Sequence, residues 1–294
     1  MKKVIVIGVL FVIFTSCQNQ KKEVKNIKNQ NTIAEQVSAL SKTLNQNIQE
    51  KYVINLNHHQ MAKEEGVYTP PSIATIFSDP NVNTALIKKN ALIGIDLPYK
   101  ILCYTEADTS RVSLTYTSAD FIAKRHGLHA KELEDYQKHM RKLLEPIKGV
   151  NISETKTDSV DVGYGIISIK SDFDFNQTVQ NLKAIVEAQN DTRWFGDIDF
   201  QKDAKALGVE IQPATLLLFG GPAPGGKAMM TMPKIGLDAF CQKLLVYKKD
   251  NGEIWIAFND IVAFAKLYYG SFTKPQAMIN QRLKVTFTKA VLKQ

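Results

Sequence analysis

Residues 213–219 read PATLLLF and correspond to residues 71–77, PSIATIF, which lie 142 positions earlier in the chain. Residues 254–266, IWIAFNDIVAFAK, correspond in the same way to residues 112–124, VSLTYTSADFIAK, at the same offset. An offset that holds over roughly 50 positions is typical of a duplicated domain, because a repeat of that length contains a core of its own. The sequence therefore predicts two copies of one fold.

The hydrophobic pattern predicts the same kinds of element in both copies. An apolar stripe at Ile33, Val37, Leu40, Leu44 and Ile48 predicts a helix, and alternating or continuous apolar runs predict strands. Predicted strands lie at 52–56, 73–77, 99–105, 111–116, 162–170, 194–200, 214–219, 242–248 and 253–258, and further helices at 118–126, 130–146, 175–186, 260–269 and 275–292. We predict an α+β fold of two tandem homologous domains, each a twisted, mainly antiparallel sheet with helices packed on one face.

Changes in composition along the chain suggest five segments. They are a signal peptide at 1–17, a polar Asn/Gln/Lys-rich tether at 18–31, a first repeat at 32–148, a linker at 149–161, and a second repeat with a C-terminal extension at 162–294. The strand at 162–170 has no counterpart ahead of the first helix. We therefore expect the first repeat to lack its opening strand.

The N-terminal sequence MKKVIVIGVLFVIFTSC predicts the cellular location of the protein. Two lysines precede an apolar run from Val4 to Phe14, and two small residues then precede Cys17. This order resembles a bacterial lipobox, in which the cysteine becomes the lipidated first residue of the mature protein. We expect a lipid anchor at Cys17 in the bacterial cell envelope, facing the periplasm from the outer membrane. The alternatives are a secreted soluble protein and an uncleaved anchor.

Composition limits the functional classes. The 294 residues are 44% hydrophobic and 22% charged, which are values of a globular protein. The formal net charge of +8 is spread along the chain without a recognisable nucleic-acid motif. We expect no nucleic-acid partner and no cofactor.

Four segments resemble the bacterial "domain of unknown function 302" family in tandem. They are GIDLPYKILCY at 94–104, TSADFIAKRHGL at 117–128, GLDAFCQKLLVY at 236–247 and FNDIVAFAKLYYG at 258–270. The resemblance covers roughly 31–128 and 162–270. It implies a compact α+β unit and no activity. The family pattern also has an Asp-His pair after its second strand, of which one copy keeps His58, in Asn57-His58, and the other keeps Asp199, in Asp199-Phe200.

Weak candidates for a catalytic site are His58, Asp96, Asp199 and Asp238. Asp96 and Asp238 recur in both copies after a glycine, where a carboxylate that stabilises a turn is the common role. Two hypotheses remain open. The chain is either a non-enzymatic binding or scaffold module, which we favour, or a small-molecule enzyme with a site between the repeats. Convergence of the four residues on one pocket would favour the enzyme.

Two further motifs have structural explanations. GPAPGGKA at 221–228 has the glycine and lysine spacing of a phosphate-binding loop. However, Ala228 replaces the hydroxyl residue, and Pro222 and Pro224 lack N–H donors, so a Pro/Gly turn is favoured. The five histidines include no metal-ligand spacing shared by both copies, and we expect no metal.

A soft apolar cluster, Met229, Met230, Met232 and Phe240, is typical of an irregular core and could also line a pocket for a small apolar ligand. Cys103 and Cys241 occupy non-equivalent positions in the two copies. Buried free thiols are favoured there over a disulfide.

Overall fold

The computed structural model describes residues 32–49, 52–108, 111–240 and 242–293, without the side chains of residues 52 and 53. The predicted signal peptide with Cys17, the tether and Cys241 therefore lie outside the described residues. Within them, no helix combines the length and the apolar character needed to cross a membrane.

The first repeat forms a five-stranded sheet whose strands follow chain order. The strands are β1 (Tyr52–Asn57), β2 (Ser72–Ser78), β3 (Tyr99–Thr105), β4 (Val112–Tyr116) and β5 (Asn151–Glu154). The helices are α1 (32–47), α2 (His58–Glu64), α3 (Pro80–Ile87), α4 (Ala119–His126) and α5 (Glu134–Leu144), with 3₁₀ helices η1 (Ala91–Ile95) and η2 (Ala130–Leu133). All strand pairs are antiparallel except β4 and β5, which are parallel.

The second repeat forms an antiparallel sheet in the order β6-β10-β9-β8-β7. Its strands are β6 (Ile166–Lys170), β7 (Arg193–Asp199), β8 (Ala214–Gly220), β9 (Gln242–Lys248) and β10 (Ile254–Asn259). Its helices are α6 (Phe175–Glu187), α7 (Phe200–Ala206), α8 (Pro222–Met229), α9 (Ile261–Tyr269) and α10 (Lys274–Val291), with the 3₁₀ helix η3 (Pro233–Leu237). The predicted class, two tandem α+β domains with mainly antiparallel sheets, is confirmed.

The segment 149–161, which we interpreted as a linker, contributes a strand to the first sheet. Asn151–Glu154 pairs with β4 at the sheet edge that β6 occupies beside β10 in the second repeat. The pairing is parallel, because this chain returns from α5 in the same direction as β4. The first repeat thus obtains its fifth strand from the end of its sequence instead of from an opening strand.

Helices cover the outward face of each sheet through aromatic contacts. The Tyr99 ring on β3 stacks against Phe77 at 5.0 Å and against Tyr136 of α5 at 4.4 Å between centroids. In the second repeat, Phe287 of α10 meets the rings of Phe258 at 5.0 Å and Phe219 at 5.9 Å. The C-terminal extension therefore packs on its sheet as α5 packs on the first sheet.

The inward faces of the two sheets are covered by the sister repeat. The segment η1 of the first repeat contacts β8, β9 and β10, and η3 of the second repeat contacts β2, β3 and β4. Helix α2 packs on α8, and α3 packs on α7. Every residue of β2, β3 and β8 is buried as a result. The exchange of equivalent elements gives the molecule an approximate twofold relation between its halves.

Residues 222–229 form a helix, so the segment 221–228 is not the turn that we predicted. Helix α8 begins with Pro222, and its counterpart α3 begins with Pro80 after the N-cap Asp79. Proline is well suited to the first helical turn because its missing N–H has no intrahelical partner there. A Cβ on Gly226 would lie 2.6 Å from the Cβ of Ala62 in α2. The glycine is therefore required by the close approach of α2 to α8.

Candidate functional site: a buried polar network and an open groove between the repeats

The two carboxylates that the copies share lie between the repeats. Asp96 follows η1 and Asp238 follows η3, where each is the C-cap residue. Because each 3₁₀ helix lies on the sheet of the other repeat, both carboxylates are carried to the interface. Their residues are 0% and 1% exposed, so each charge requires partners within the protein.

Asp96 is held by three cationic or ionisable side chains of its own repeat. Arg125 Nη1 donates to its two oxygens at 2.8 and 2.9 Å, His126 Nε2 lies 2.7 Å from Oδ2, and Lys100 Nζ lies 3.4 Å from Oδ1. Burial alone would raise the pKa of the Asp96 carboxyl. The positive charges of Arg125 and Lys100, with the bond to His126, instead hold this pKa well below its usual range.

Asp238 is held by side chains of both repeats. Lys100 Nζ donates to Oδ1 at 2.8 Å, the Tyr268 hydroxyl donates to Oδ2 at 2.5 Å, and the Thr117 hydroxyl lies 3.4 Å from Oδ1. Burial and the adjacent Asp238 charge raise the pKa of Tyr268 well above its usual value, so its hydroxyl remains a donor. The Lys100 ammonium contacts both carboxylates and thereby joins the two repeats.

The network preserves the duplication at some positions and alters it at others. Tyr268 lies 142 residues after His126 and is its equivalent in the second repeat. Each of the two side chains bonds to the aspartate of its own repeat. Arg125 corresponds to Leu267, so only the first repeat contributes a guanidinium. Arg125 also crosses the interface, since its Nη2 donates to Asn259 Oδ1 at 2.7 Å.

This network resembles a structural joint more than a reaction centre. Arg125 is 0% exposed, and its remaining donors reach the carbonyl oxygens of Tyr164 at 2.8 Å and Gly165 at 3.1 Å. The two carboxylates of the network, Asp96 and Asp238, already accept hydrogen bonds from several donors. A catalytic acid or base must reach a proton on the substrate, and these groups are bonded to one another instead.

His58 lies elsewhere in the interface, beside a small cavity. Its Nε2 is buried and has no hydrogen-bond partner among the described residues. Burial, and to a smaller extent the charge of Lys243, lowers the pKa of His58 to about 4, and a hydrogen bond with the Gly236 backbone opposes this shift. The adjoining cavity has a volume of about 20 Å³ and is lined by Met229 and Phe240 among others. In this conformation the space accommodates roughly one water molecule.

The other predicted site residues are distributed around this cavity or away from it. Met230 is 41% exposed, and the sulfur of Met232 accepts a bond from Gln276 Nε2 at 3.3 Å. Asp199 is the N-cap of α7, and its carboxylate accepts from Lys202 N at 2.9 Å. Asn57 caps α2 in the same way. The structure thus brings Asp96 and Asp238 together and leaves His58 and Asp199 outside their network.

Thiol and metal chemistry have limited support within the described residues. Cys103 is a buried free cysteine, and burial raises the pKa of its thiol to about 12. A thiol that remains protonated is a poor nucleophile and a poor metal ligand. The described part of the chain contains no group of three or more His, Cys, Asp and Glu side chains arranged to hold a metal ion.

An open groove of about 1070 Å³ runs between the repeats. The first repeat contributes residues 87–92, including Lys88 and Lys89, and the second contributes Lys248, Lys249 and Trp255 among others. Lys249 Nζ lies 3.8 Å from the Trp255 ring centroid. Glu210 and Asp250 also line the groove, so lysines outnumber carboxylates in its wall.

The comparisons with known proteins identify the domain. The family model described as "Domain of unknown function DUF302" matches residues 25–147 and 167–284, which together make up most of the chain. The chain belongs to this family. Its two DUF302 copies correspond to the two repeats described above.

Individual relatives of this DUF302 protein match a shorter part of the chain or have low sequence identity to it. "Fluoride-specific ion channel FluC 1" of Brucella suis biovar 1 is 33% identical over 94 residues, which are 32% of this chain and 35% of that protein. "Fluoride-specific ion channel FluC 2" of Brucella melitensis biotype 1 is 33% identical over 94 residues. The chain thus spans about a third of the length of the curated relatives it matches. The "uncharacterized conserved protein DUF302 from Bacillus stearothermophilus" has a crystal structure with 15% identity and a TM-score of 0.37, covering 43% of this chain and 98% of that one.

Sequence reasoning missed most of the DUF302 interface network. It selected Asp96 and Asp238 and omitted Lys100, Arg125 and Tyr268. One signal was present, because the aligned motifs GIDLPYK and GLDAFCQK each contain a lysine shortly after the aspartate. The groove had no such signal, since its two walls are formed by segments more than 70 residues apart in the sequence.

Proposed function

We propose that this DUF302 protein is a lipid-anchored, non-enzymatic binding module of the bacterial cell envelope, in which the two repeats act as one unit. The observation that carries the proposal is the groove of about 1070 Å³ whose walls come from both repeats. Such a groove requires both copies, and concave sites at domain junctions commonly bind small molecules. This gives the duplication a use that neither copy has alone.

The geometry favours binding over catalysis. Convergence of His58, Asp96, Asp199 and Asp238 on one pocket would have favoured the enzyme hypothesis. Instead, Asp96 and Asp238 both form ion pairs with Lys100, and Asp199 is the N-cap of a helix. Among the described residues, the ionisable side chains of the groove wall include four lysines and the carboxylates of Glu210 and Asp250.

The chemistry of the groove favours a small anionic ligand over the small apolar ligand suggested by the methionine cluster. Lys88, Lys89, Lys248 and Lys249 provide four ammonium groups, and Glu210 and Asp250 provide two carboxylates. Lys89 is also paired with Glu132 at 2.8 Å, so Lys88, Lys248 and Lys249 are the more available cations. Trp255 holds the Lys249 ammonium 3.8 Å from its ring centroid and so fixes this cation in the groove wall.

Mass spectrometry of co-purified small molecules tests this proposal. The untagged mature chain is compared with a Lys248→Glu/Lys249→Glu variant, and a Lys138→Glu/Lys142→Glu variant of α5 is the matched charge control. We expect an anionic small molecule to be enriched on the wild type and the control and lost from the groove variant. Equal recovery from all three proteins would contradict a ligand site in the groove.

A further inference from the structure

Helix α10 exposes an apolar line that its counterpart in the first repeat does not. Met278, Val285 and Leu292 are 62%, 58% and 37% exposed. Met278 and Val285 are seven residues apart, which is close to two helical turns, so they lie on one side of α10. Leu292 is the C-cap residue that directly follows the helix. The opposite side carries the buried Leu283 and Phe287. The line therefore points away from the core.

Exposed apolar residues are concentrated in this part of the protein. The described residues include nine large apolar side chains that are exposed, and four of them, Phe272, Met278, Val285 and Leu292, lie within residues 272–292. Isolated exposed apolar residues are ordinary, whereas a concentrated set is typical of an interaction surface.

The charged residues of this segment of the sequence are all positive. From residue 261 to residue 294 the sequence contains six basic residues and no Asp or Glu. Two of these cations are neutralised by neighbouring elements, since Arg282 pairs with Asp191 at 2.6 Å and Lys284 lies 3.8 Å from Asp260. Lys274, Lys289 and Lys293 are exposed. Asp172 lies near the last of these and accepts the backbone N–H of Lys293 at 2.9 Å.

The first repeat provides an internal comparison. Helix α5 packs on its sheet as α10 does, yet its outward side mixes Glu134, Asp135, Lys138 and Lys142, and it exposes no large apolar side chain among the described residues. A solvated helix needs no apolar line and no excess of one charge. The difference is therefore specific to α10 and does not follow from its place in the fold.

We propose that the outward side of α10 and the two residues after it dock on an anionic lipid surface. The surface consists of Met278, Val285 and Leu292 with Lys274, Lys289 and Lys293. An apolar line flanked by lysines fits the boundary between acyl chains and anionic headgroups, where burial and charge attraction act together. A second copy of this helix would bring lysines against lysines and is disfavoured by like charge. The docking is independent of a lipid on Cys17 and would orient a protein that is also tethered.

Vesicle co-sedimentation of residues 18–294 tests the proposal, with phosphatidylglycerol mixed into phosphatidylcholine as the probe and pure phosphatidylcholine as the reference. We expect binding to the anionic vesicles only, weakened by salt. Lys289→Glu/Lys293→Glu should lower the partition coefficient about tenfold or more. Val285→Asp should lower it as well, whereas Lys138→Glu/Lys142→Glu on α5 should leave it unchanged.

Circular dichroism and thermal unfolding show whether each variant is folded. Absence of binding to anionic vesicles, or binding that the α10 variants do not weaken, would overturn the proposal. So would a dimer in sedimentation that Val285→Asp dissociates, because the occupant would then be a second copy. None of these results bears on the groove, so failure of this proposal is distinguishable from failure of the proposed function.

Discussion

Replacement of His58 by phenylalanine should raise stability and remove part of its dependence on pH. Nε2 of His58 is buried without a partner, and an unsatisfied buried polar group costs about 1–3 kcal/mol, from which the bond between His58 and the Gly236 backbone is subtracted. The second repeat shows that phenylalanine fits an equivalent place. Phe200 lies against Gly94 there, as His58 lies against Gly236. The cavity of about 20 Å³ beside His58 provides room for the larger ring.

The pH effect follows from the lowered pKa. The imidazole has a pKa of about 4 in the folded protein and 6.5 as its ordinary value, so the unfolded chain binds more protons between these values. Stability therefore rises with pH through this window and falls as the pH is lowered. Relative to pH 7, His58 should cost about 2 kcal/mol of the free energy of unfolding at pH 5.

Urea denaturation at pH 7 and pH 5 measures this effect. The difference in unfolding free energy between His58→Phe and the wild type should widen by about 2 kcal/mol on going from pH 7 to pH 5. The reciprocal variant Phe200→His is the matched control and should acquire a dependence of the opposite sign relative to wild type. A difference that stays constant between the two pH values would refute the account of a buried, neutral His58.

Three other predictions concern the interface and the anchor. Lys100→Met should destabilise the protein by about 3–5 kcal/mol because it leaves buried carboxylates without their shared cation, and Lys100→Met/Asp238→Asn should recover part of that loss in the same urea assay. Gly226→Ala should cost about 1–3 kcal/mol, measured by thermal unfolding, because the new Cβ meets Ala62 and separates α2 from α8. Cys17→Ser should abolish palmitate labelling and release the protein from the membrane fraction, whereas persistent labelling would exclude Cys17 as the lipidated residue.

The sequence predicted the repeated strands well because their signals are local. Apolar runs and their periodicity depend on neighbouring residues alone. Helices α3 and α8 were missed because proline and glycine usually interrupt helices, whereas here proline begins the helix and glycine permits close packing. Strand β5 was missed because its polar sequence resembles a linker.

The site was harder to predict because it depends on how the copies face each other. Asp96 and Asp238 could be selected from their recurrence. Their partners could not, since the contact of Lys100 with Asp238 joins residues 138 positions apart. The first repeat keeps only the His of the family's Asp-His pair, and the second keeps only the Asp. This pattern gave no indication that His58 is buried and neutral.

The central claim is that the two repeats form one cooperative unit joined by the buried network. Both tryptophans, Trp194 and Trp255, lie in the second repeat, and the buried Cys103 lies in the first. Thiol labelling of Cys103, quantified by peptide mass spectrometry along a urea titration, can be compared with tryptophan fluorescence in the same samples. We predict coincident midpoints for the two probes, since neither inward sheet face is covered without the other repeat. Exposure of Cys103 at a urea concentration where fluorescence is still native would contradict the claim.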